Sequence, residues 1–222
     1  MLIGVIFDMD GVLVDSHPIH MRTWKRFLFS VGLSVDDHNM EFILEGRKQG
    51  DILRHFLGDL CEEQVSMYGE QKDKCYREES GAIEAMPGVR EFIEQLDRES
   101  IKMAVASCGG GKRVNHILDV LGLRKHFQVV VTGDDVSEGK PDPAIFKIAA
   151  KRLNLDGESV LVIEDSVSGV QAAKAAAMKC LGIAVPRRAQ NLLKAGADRA
   201  VTSFCELSLE SVRELFEERL AV

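Results

Sequence analysis

Asp8 and Asp10 stand two residues apart, directly after the short apolar run 4–7 and directly before Gly11, in IGVIFDMDGVLVDS at residues 3–16. Alternate residues of a strand share a side. The spacing therefore predicts two carboxylates together at the C-terminal end of a buried strand, where open α/β sheets place their ligands. Like charges that close repel, and a bound cation or a proton on one of them relieves the repulsion. Asp and Gly are also common turn residues, so this stretch alone leaves a plain turn open.

Three later apolar runs also finish in polar residues. In MAVASCGGG, Ser107 and Cys108 precede three glycines and a helical pattern. A hydroxyl and free amides at a helix start suit an oxyanion or phosphate, with a simple helix cap as the alternative. In EGKPDP, Pro141 and Pro143 fix the loop after Lys140; a held ammonium can neutralise a phosphoryl oxygen, and a solvated loop lysine is the plain alternative. In VLVIEDSVSG, Glu164 and Asp165 end an apolar strand, which makes a hard-cation site with oxygen donors, most naturally for Mg²⁺, or else an N-cap.

A carboxylate nucleophile, a cation, a hydroxyl and a lysine can together transfer a phosphoryl group through an aspartyl-phosphate. Asp10 can protonate the leaving oxygen and later deprotonate the incoming one. Mg²⁺ lets an anionic nucleophile approach an anionic phosphate.

These groups need a parallel sheet to bring them to one rim. From residue 89 onward the pattern alternates regularly. Helices are expected at 89–99, 112–121, 142–153 and 168–177. Strands are expected at 102–106, 129–132, 160–163 and 180–185. A short helix at 191–195, a short strand at 199–201 and a closing helix at 209–220 complete the chain. Such alternation implies right-handed crossovers and a doubly wound parallel α/β sheet of Rossmann type. Between residues 16 and 83 the pattern is helical throughout: 17–31, a second helix from about 36 to Gly46, 51–56 and 62–79. This block reads as an inserted helical cap domain, residues 16–81, within a core formed by residues 1–15 and 82–222.

The formal net charge of -7 disfavours nucleic acid and anionic membrane surfaces. No apolar run approaches the ~20 residues of a spanning helix, and the chain opens almost at once on a strand, so no signal peptide is expected. Five cysteines without paired spacing suggest neither a disulfide framework nor a zinc site. The expected setting is the cytoplasm, and the expected partner a small phosphorylated metabolite, with the protein a monomer or weak dimer.

DMDGV at residues 8–12, Ser107, Lys140 in GKPDP and Glu164-Asp165-Ser166 match, in order, the motifs of the haloacid dehalogenase (HAD) superfamily, which the chain resembles over nearly its whole length. The resemblance implies an Asp8 nucleophile, an Asp10 acid/base, and Ser107 and Lys140 on the phosphoryl group. It further implies Mg²⁺ on the Asp8 carboxylate, the Asp10 carbonyl and Asp165, with Glu164 adjacent or acting through water. An acid at position 10 points to phosphatases and mutases within the superfamily, and the details resemble the β-phosphoglucomutase and sugar-phosphatase subgroup. His20 sits where β-phosphoglucomutase carries a cap-hinge histidine, or is simply polar on the first cap helix.

The mutase pattern is not complete. That enzyme uses a cap arginine in a GxxR loop and a Ser-Lys-Asn run; here Arg47 and Lys48 follow Gly46 at once, and glycines follow Cys108. Arg47 or Lys48 can reach a distal phosphate or can be surface charges. The expected activity is a Mg²⁺-dependent phosphatase acting on a sugar phosphate or similar metabolite. A hexose phosphomutase is the alternative, and a phospho-receiver signalling module a further one.

Overall fold

The computed structural model describes residues 1–79 and 83–217. The expected cap boundary at 81–82 and the last residues of the closing helix, 218–220, lie outside them. Six parallel strands form one sheet in the order β3-β2-β1-β4-β5-β6: β1 Gly4–Phe7, β2 Lys102–Ala106, β3 Val129–Val131, β4 Val160–Glu164, β5 Lys179–Ile183 and β6 Arg199–Val201. The strands are apolar because helices cover both faces. Period two divides them: Val5, Phe7, Met103 and Val105 face one core, while Ile6, Ala104 and Ala106 face the other. Helices α5 (Val89–Arg98), α6 (Gly111–Val120) and α10 (Leu209–Arg213) pack on the first face. Helices α7 (Ala144–Leu153), α8 (Val167–Ala175) and α9 (Pro186–Lys194) pack on the second.

β1 pairs with β2 on one side and β4 on the other, with Phe7 opposite Val105 and Ile163. The strand order reverses at β1, so the rim just beyond it is the topological switch point at which such sheets bind ligands. Asp8 is the first residue on that rim.

The helical insertion comprises α1 (His17–Ser30), α2 (Asp37–Met40), α3 (Gln49–Leu57) and α4 (Glu62–Glu79). It buries its own apolar cluster around Trp24, Phe27, Leu28, Met40 and Leu53. The outgoing and returning chains pair where they cross: Val14 bridges Ala85, Asp15 N–H donates to Glu84 O (3.2 Å) and Met86 N–H to Leu13 O (3.0 Å). None of the described helices is long and apolar enough to cross a membrane.

Several element ends differ from expectation. The short helix expected at 191–195 begins at Pro186, whose fixed φ suits a first helical position, and this shortens the preceding strand to Ile183. The helix expected from 142 begins at Ala144, after Pro143 at its cap. The second cap helix is α2 followed by a 3₁₀ turn at Glu41–Leu44. The closing helix becomes 3₁₀ at Glu214–Phe216.

Away from the rim, Asp198 ties three elements together, accepting from Lys174 Nζ (2.7 Å), Lys179 Nζ (2.9 Å) and Cys180 N–H (2.8 Å). Burial alone would raise its pKa, but these donors more than offset that and hold it below the ordinary Asp value. A folded-state pKa below the unfolded one adds stability above the ordinary Asp range, and the gain is lost as pH falls through it. Asp198→Asn is therefore expected to cost about 1–3 kcal/mol near neutrality in urea denaturation. Its deficit against the parent should shrink as the pH falls toward about 3.

Candidate active site

The Asp8 N–H continues the sheet ladder to Ile163 O (3.0 Å), and its carboxylate is buried. Lys140, completely buried, reaches it from the loop before α7. Its Nζ stands 2.5 Å from Asp8 Oδ1 and 2.5 Å from Glu164 Oε1, above the Phe146 ring at 5.0 Å. Burial alone would deprotonate this ammonium; the two carboxylates reverse that and hold its pKa well above the ordinary lysine value.

Glu164 is fully engaged. Its second oxygen accepts from the Asp165 and Ser166 N–H groups (2.8 Å each) and Ser166 Oγ (2.9 Å). The acid pair expected at this strand end is thus split in role: Glu164 fixes Lys140 and the turn, and only Asp165 lines the cleft. Space for the Glu164 carboxylate comes from Gly169, where a Cβ would fall 1.9 Å from it.

Among the described residues, Asp165 Oδ2 is buried without a hydrogen-bond donor. His17 Nε2 lies 3.0 Å away, within ion-pair range but not aligned as a hydrogen bond. Burial raises the Asp165 pKa against the pull of His17. Asp8 is pushed up to about 8, first by burial, with Lys140 opposing and Glu164, Asp165 and Asp10 adding repulsion. A rim so crowded with carboxylates, one oxygen of which has no donor, fits a hard divalent cation. Among the described residues no three His, Cys, Asp or Glu side chains converge as a metal cage. The ligand set implied by the resemblance needs only two, Asp8 and Asp165, beside the Asp10 carbonyl, because Mg²⁺ keeps several of its waters. Glu164, with its oxygens committed elsewhere, is not a direct ligand in this geometry.

Gly11 turns the chain with a φ of +76°, and Asp10 is held on the cap side of the cleft. Its Oδ1 accepts from Ser16 Oγ (2.7 Å) and Arg113 Nη1 (2.9 Å) and lies 3.1 Å from His20 Nε2; its Oδ2 accepts from Arg113 Nη2 (2.6 Å). Ser16 gives its hydroxyl to Asp10 instead of capping α1. Burial would raise the Asp10 pKa, but Arg113 and His20 pull it well below the ordinary carboxylate value. His20 itself is pushed down to about 4 by burial, against the pull of Asp10, so it is neutral.

Ser107 N–H pairs with Val131 O (3.0 Å), and its hydroxyl accepts from Gly109 N–H (3.2 Å) at the edge of the cleft, beside Cys108. The cleft has a cavity volume of about 120 Å³ and is partly open to solvent. It brings together Asp8, Asp10, His20, Arg47, Ser107, Cys108 and Asp165. Lys48 does not line it. Its ammonium donates to the carbonyls of Val136 (2.8 Å) and Ser137 (3.3 Å), which docks the 44–48 loop on the core. Ser168 Oγ donates to Glu45 O, and Arg188 to Leu44 O (3.4 Å), in the same contact.

Two cations in the cleft escaped sequence reasoning. Lys72 of α4 is buried between the Trp24 and Tyr76 rings, 5.3 and 5.2 Å from their centroids, and is pushed down to about 8 by burial and Arg113. Nothing in its local sequence separates it from a surface lysine. Arg113, in the first turn of α6, had a signal in the glycine run before it. A Cβ at Gly109 would fall 2.3 Å from Arg113 Nη2, so the glycines make room for the guanidinium to fold back onto Asp10.

Two substitutions test this scaffold. Gly169→Ala should displace the Glu164 carboxylate, cost about 1–3 kcal/mol in thermal unfolding, and lower turnover through a misplaced Lys140. Lys48→Met should leave the fold's stability near the parent's but make the 44–48 loop more sensitive to limited proteolysis.

The chain is similar to known proteins over most of its length. A "Phosphorylated carbohydrates phosphatase" of Thermotoga maritima is 37% identical over 180 residues, covering 79% of this chain and 82% of that protein. The "Beta-phosphoglucomutase" of Bacillus subtilis is 30% identical over 224 residues, covering 97% and 96%. A crystal structure of β-phosphoglucomutase from Clostridium difficile superposes with a TM-score of 0.86 at 25% identity, covering all of both chains. The profile of the haloacid dehalogenase-like hydrolases matches residues 5–183, and the chain belongs to that family.

Proposed function

We propose that this protein is a Mg²⁺-dependent phosphatase that hydrolyses a small phosphorylated metabolite, of the sugar-phosphate class, through an aspartyl-phosphate on Asp8. The observation that carries this reading is the asymmetry of the two first-strand acids. Asp8 lies among Lys140, Glu164 and Asp165, whereas Asp10 is held by Ser16, His20 and Arg113 on the cap side. This asymmetry supports assigning Asp8 to the phosphorus and Asp10 to the leaving oxygen. The names of the relatives in Thermotoga maritima and Bacillus subtilis support the substrate class, and enzymes of this family generally use Mg²⁺.

In the proposed reaction Asp8 attacks phosphorus while Lys140 and Ser107 take up charge on the phosphoryl oxygens. The bond to the leaving oxygen breaks, and Asp10, once it has left Arg113 and taken up a proton, protonates that oxygen. Asp10 then takes a proton from water, which attacks the phospho-Asp8, releases inorganic phosphate and restores the carboxylate. Asp8, Asp165 and the Asp10 carbonyl would hold Mg²⁺, which would supply charge neutralisation for the meeting of two anions. A phospho-receiver module is disfavoured because Asp8 is buried beneath the helical cap, where a partner protein has no access.

Asp8→Asn should lower turnover by about 10³-fold or more, and Asp10→Asn by about 10²–10⁴-fold, in a phosphate-release assay with Mg²⁺. Mg²⁺ should also raise the melting temperature of the parent, since a ligand at 100 times its dissociation constant adds about 2.7 kcal/mol; Asp165→Asn should abolish that rise. Incubation with glucose 1-phosphate separates the mutase alternative: inorganic phosphate is expected, and accumulation of glucose 6-phosphate in its place would contradict hydrolysis.

A further inference from the structure

Phosphate-ester hydrolysis by Asp8 and Asp10 leaves Arg113 without a task. Its guanidinium comes from the core, lines the cleft, lies 5.5 Å from the Tyr76 ring centroid, and grips both oxygens of Asp10 at 2.9 and 2.6 Å. An acid/base gripped in this way is not free. Oδ1 is shared by Ser16, His20 and Arg113, and Oδ2 is taken by Arg113. To reach a leaving oxygen, the carboxyl group has to exchange the guanidinium for the substrate. That exchange strands Arg113 in the cleft, because Asp10 is its ion-pair partner among the described residues. A guanidinium deprived of its partner in a half-buried cleft is costly.

The surroundings do not supply a replacement. Asp73, the other acid in the upper cleft, already accepts from Gln49 Nε2 (2.9 Å) and faces Lys72 at 3.5 Å. Arg47 adds a further positive charge there, with its Nε buried and unpartnered among the described residues. Apart from Asp8 and Asp165, the cleft lining carries Arg47, Lys72 and Arg113 against Asp10 and Asp73, in a chain whose overall charge is -7. What Arg113 already holds there is a carboxylate, in the two-point fork that guanidinium groups make with planar acids.

Building on the phosphatase activity proposed for this site, we propose that the substrate is a phosphate ester whose other end is a carboxylate, and that this group takes the place of Asp10 on Arg113. The substrate's own acid then frees the acid/base for the leaving oxygen, which makes Arg113 a specificity-determining residue. A neutral ester binds the phosphoryl end equally well but leaves the grip on Asp10 in place.

Matched esters test this with the full chain and Mg²⁺. Glycerol 3-phosphate and 3-phosphoglycerate differ by an alcohol against a carboxylate at the far carbon, as do sorbitol 6-phosphate and 6-phosphogluconate. In at least one pair the acid is expected to have the higher kcat/KM by about tenfold or more. Arg113→Met should reduce that ratio to near one, and Arg113→Lys, which keeps the charge but loses the fork, should leave it intermediate. Thermal melts establish that each variant folds, and Arg113→Lys carries the test if the methionine variant does not.

Equal kcat/KM within both pairs would overturn the proposal. So would a preference that survives Arg113→Met, or an equal loss on acid and alcohol, the signature of a residue that merely positions Asp10. A larger preference for fructose 1,6-bisphosphate over fructose 6-phosphate, lost in Arg113→Met, would overturn the carboxylate in favour of a second phosphate. Absence of phosphate release from every ester would refute the phosphatase reading itself, whereas release without preference refutes this inference alone.

Discussion

The site is built around one buried ammonium. Lys140 lies 2.5 Å from a carboxylate of the first strand and 2.5 Å from one of the fourth, with no exposed surface of its own. A lysine so placed is stable only because two carboxyl groups face it. They are held there by a parallel register that sets Phe7 beside Ile163 and so brings the two strand ends level. Remove either acid and a charge is stranded; shift the register and Asp8 no longer meets Glu164. The rest of the rim follows from that requirement. Gly169 is bare to admit the Glu164 carboxylate, the 164–166 turn is tied to it by three donors, and Asp165 is thereby turned toward the cleft.

The other half of the site is made by the junction with the helical insertion. Asp10 is held by Ser16 and His20, which begin the outgoing helix, and by Arg113, which begins a helix of the core. Its position therefore depends on how the insertion meets the sheet, whereas that of Asp8 does not. The 44–48 loop makes the same junction on the opposite side through Lys48, Glu45 and Arg188. Asp8 and Asp10 are thus anchored to different parts of the fold.

What could be read from the sequence was what is local. Apolar runs announced the strands because helices on both faces leave no polar side to interrupt them. Polar residues ending those runs announced the rim, and Asp8, Ser107, Lys140 and Asp165 meet there. The parallel, doubly wound character of the sheet followed from alternation, and its strand order did not. The roles that depend on which distant residue arrives were not legible. Glu164 and Asp165 are adjacent and chemically alike, yet one faces Lys140 and the other the cleft. Arg47 and Lys48 are adjacent cations, yet one lines the cleft and the other grips two carbonyls of the core. Arg113 meets Asp10 across 103 positions of chain, and only the glycines that make room for it left a mark.

Passage of the phosphoryl group through Asp8, as proposed, leaves an acyl phosphate that can be trapped. Asp10→Asn enzyme, incubated with Mg²⁺ and a turned-over ester, is quenched in acid and reduced with borohydride, which converts a phosphorylated aspartate to homoserine. Peptide mass spectrometry should find homoserine at position 8 and at no other aspartate. Homoserine at position 10 or 165 in its place, or steady turnover by the parent enzyme with unmodified Asp8 under every quench, would contradict the account.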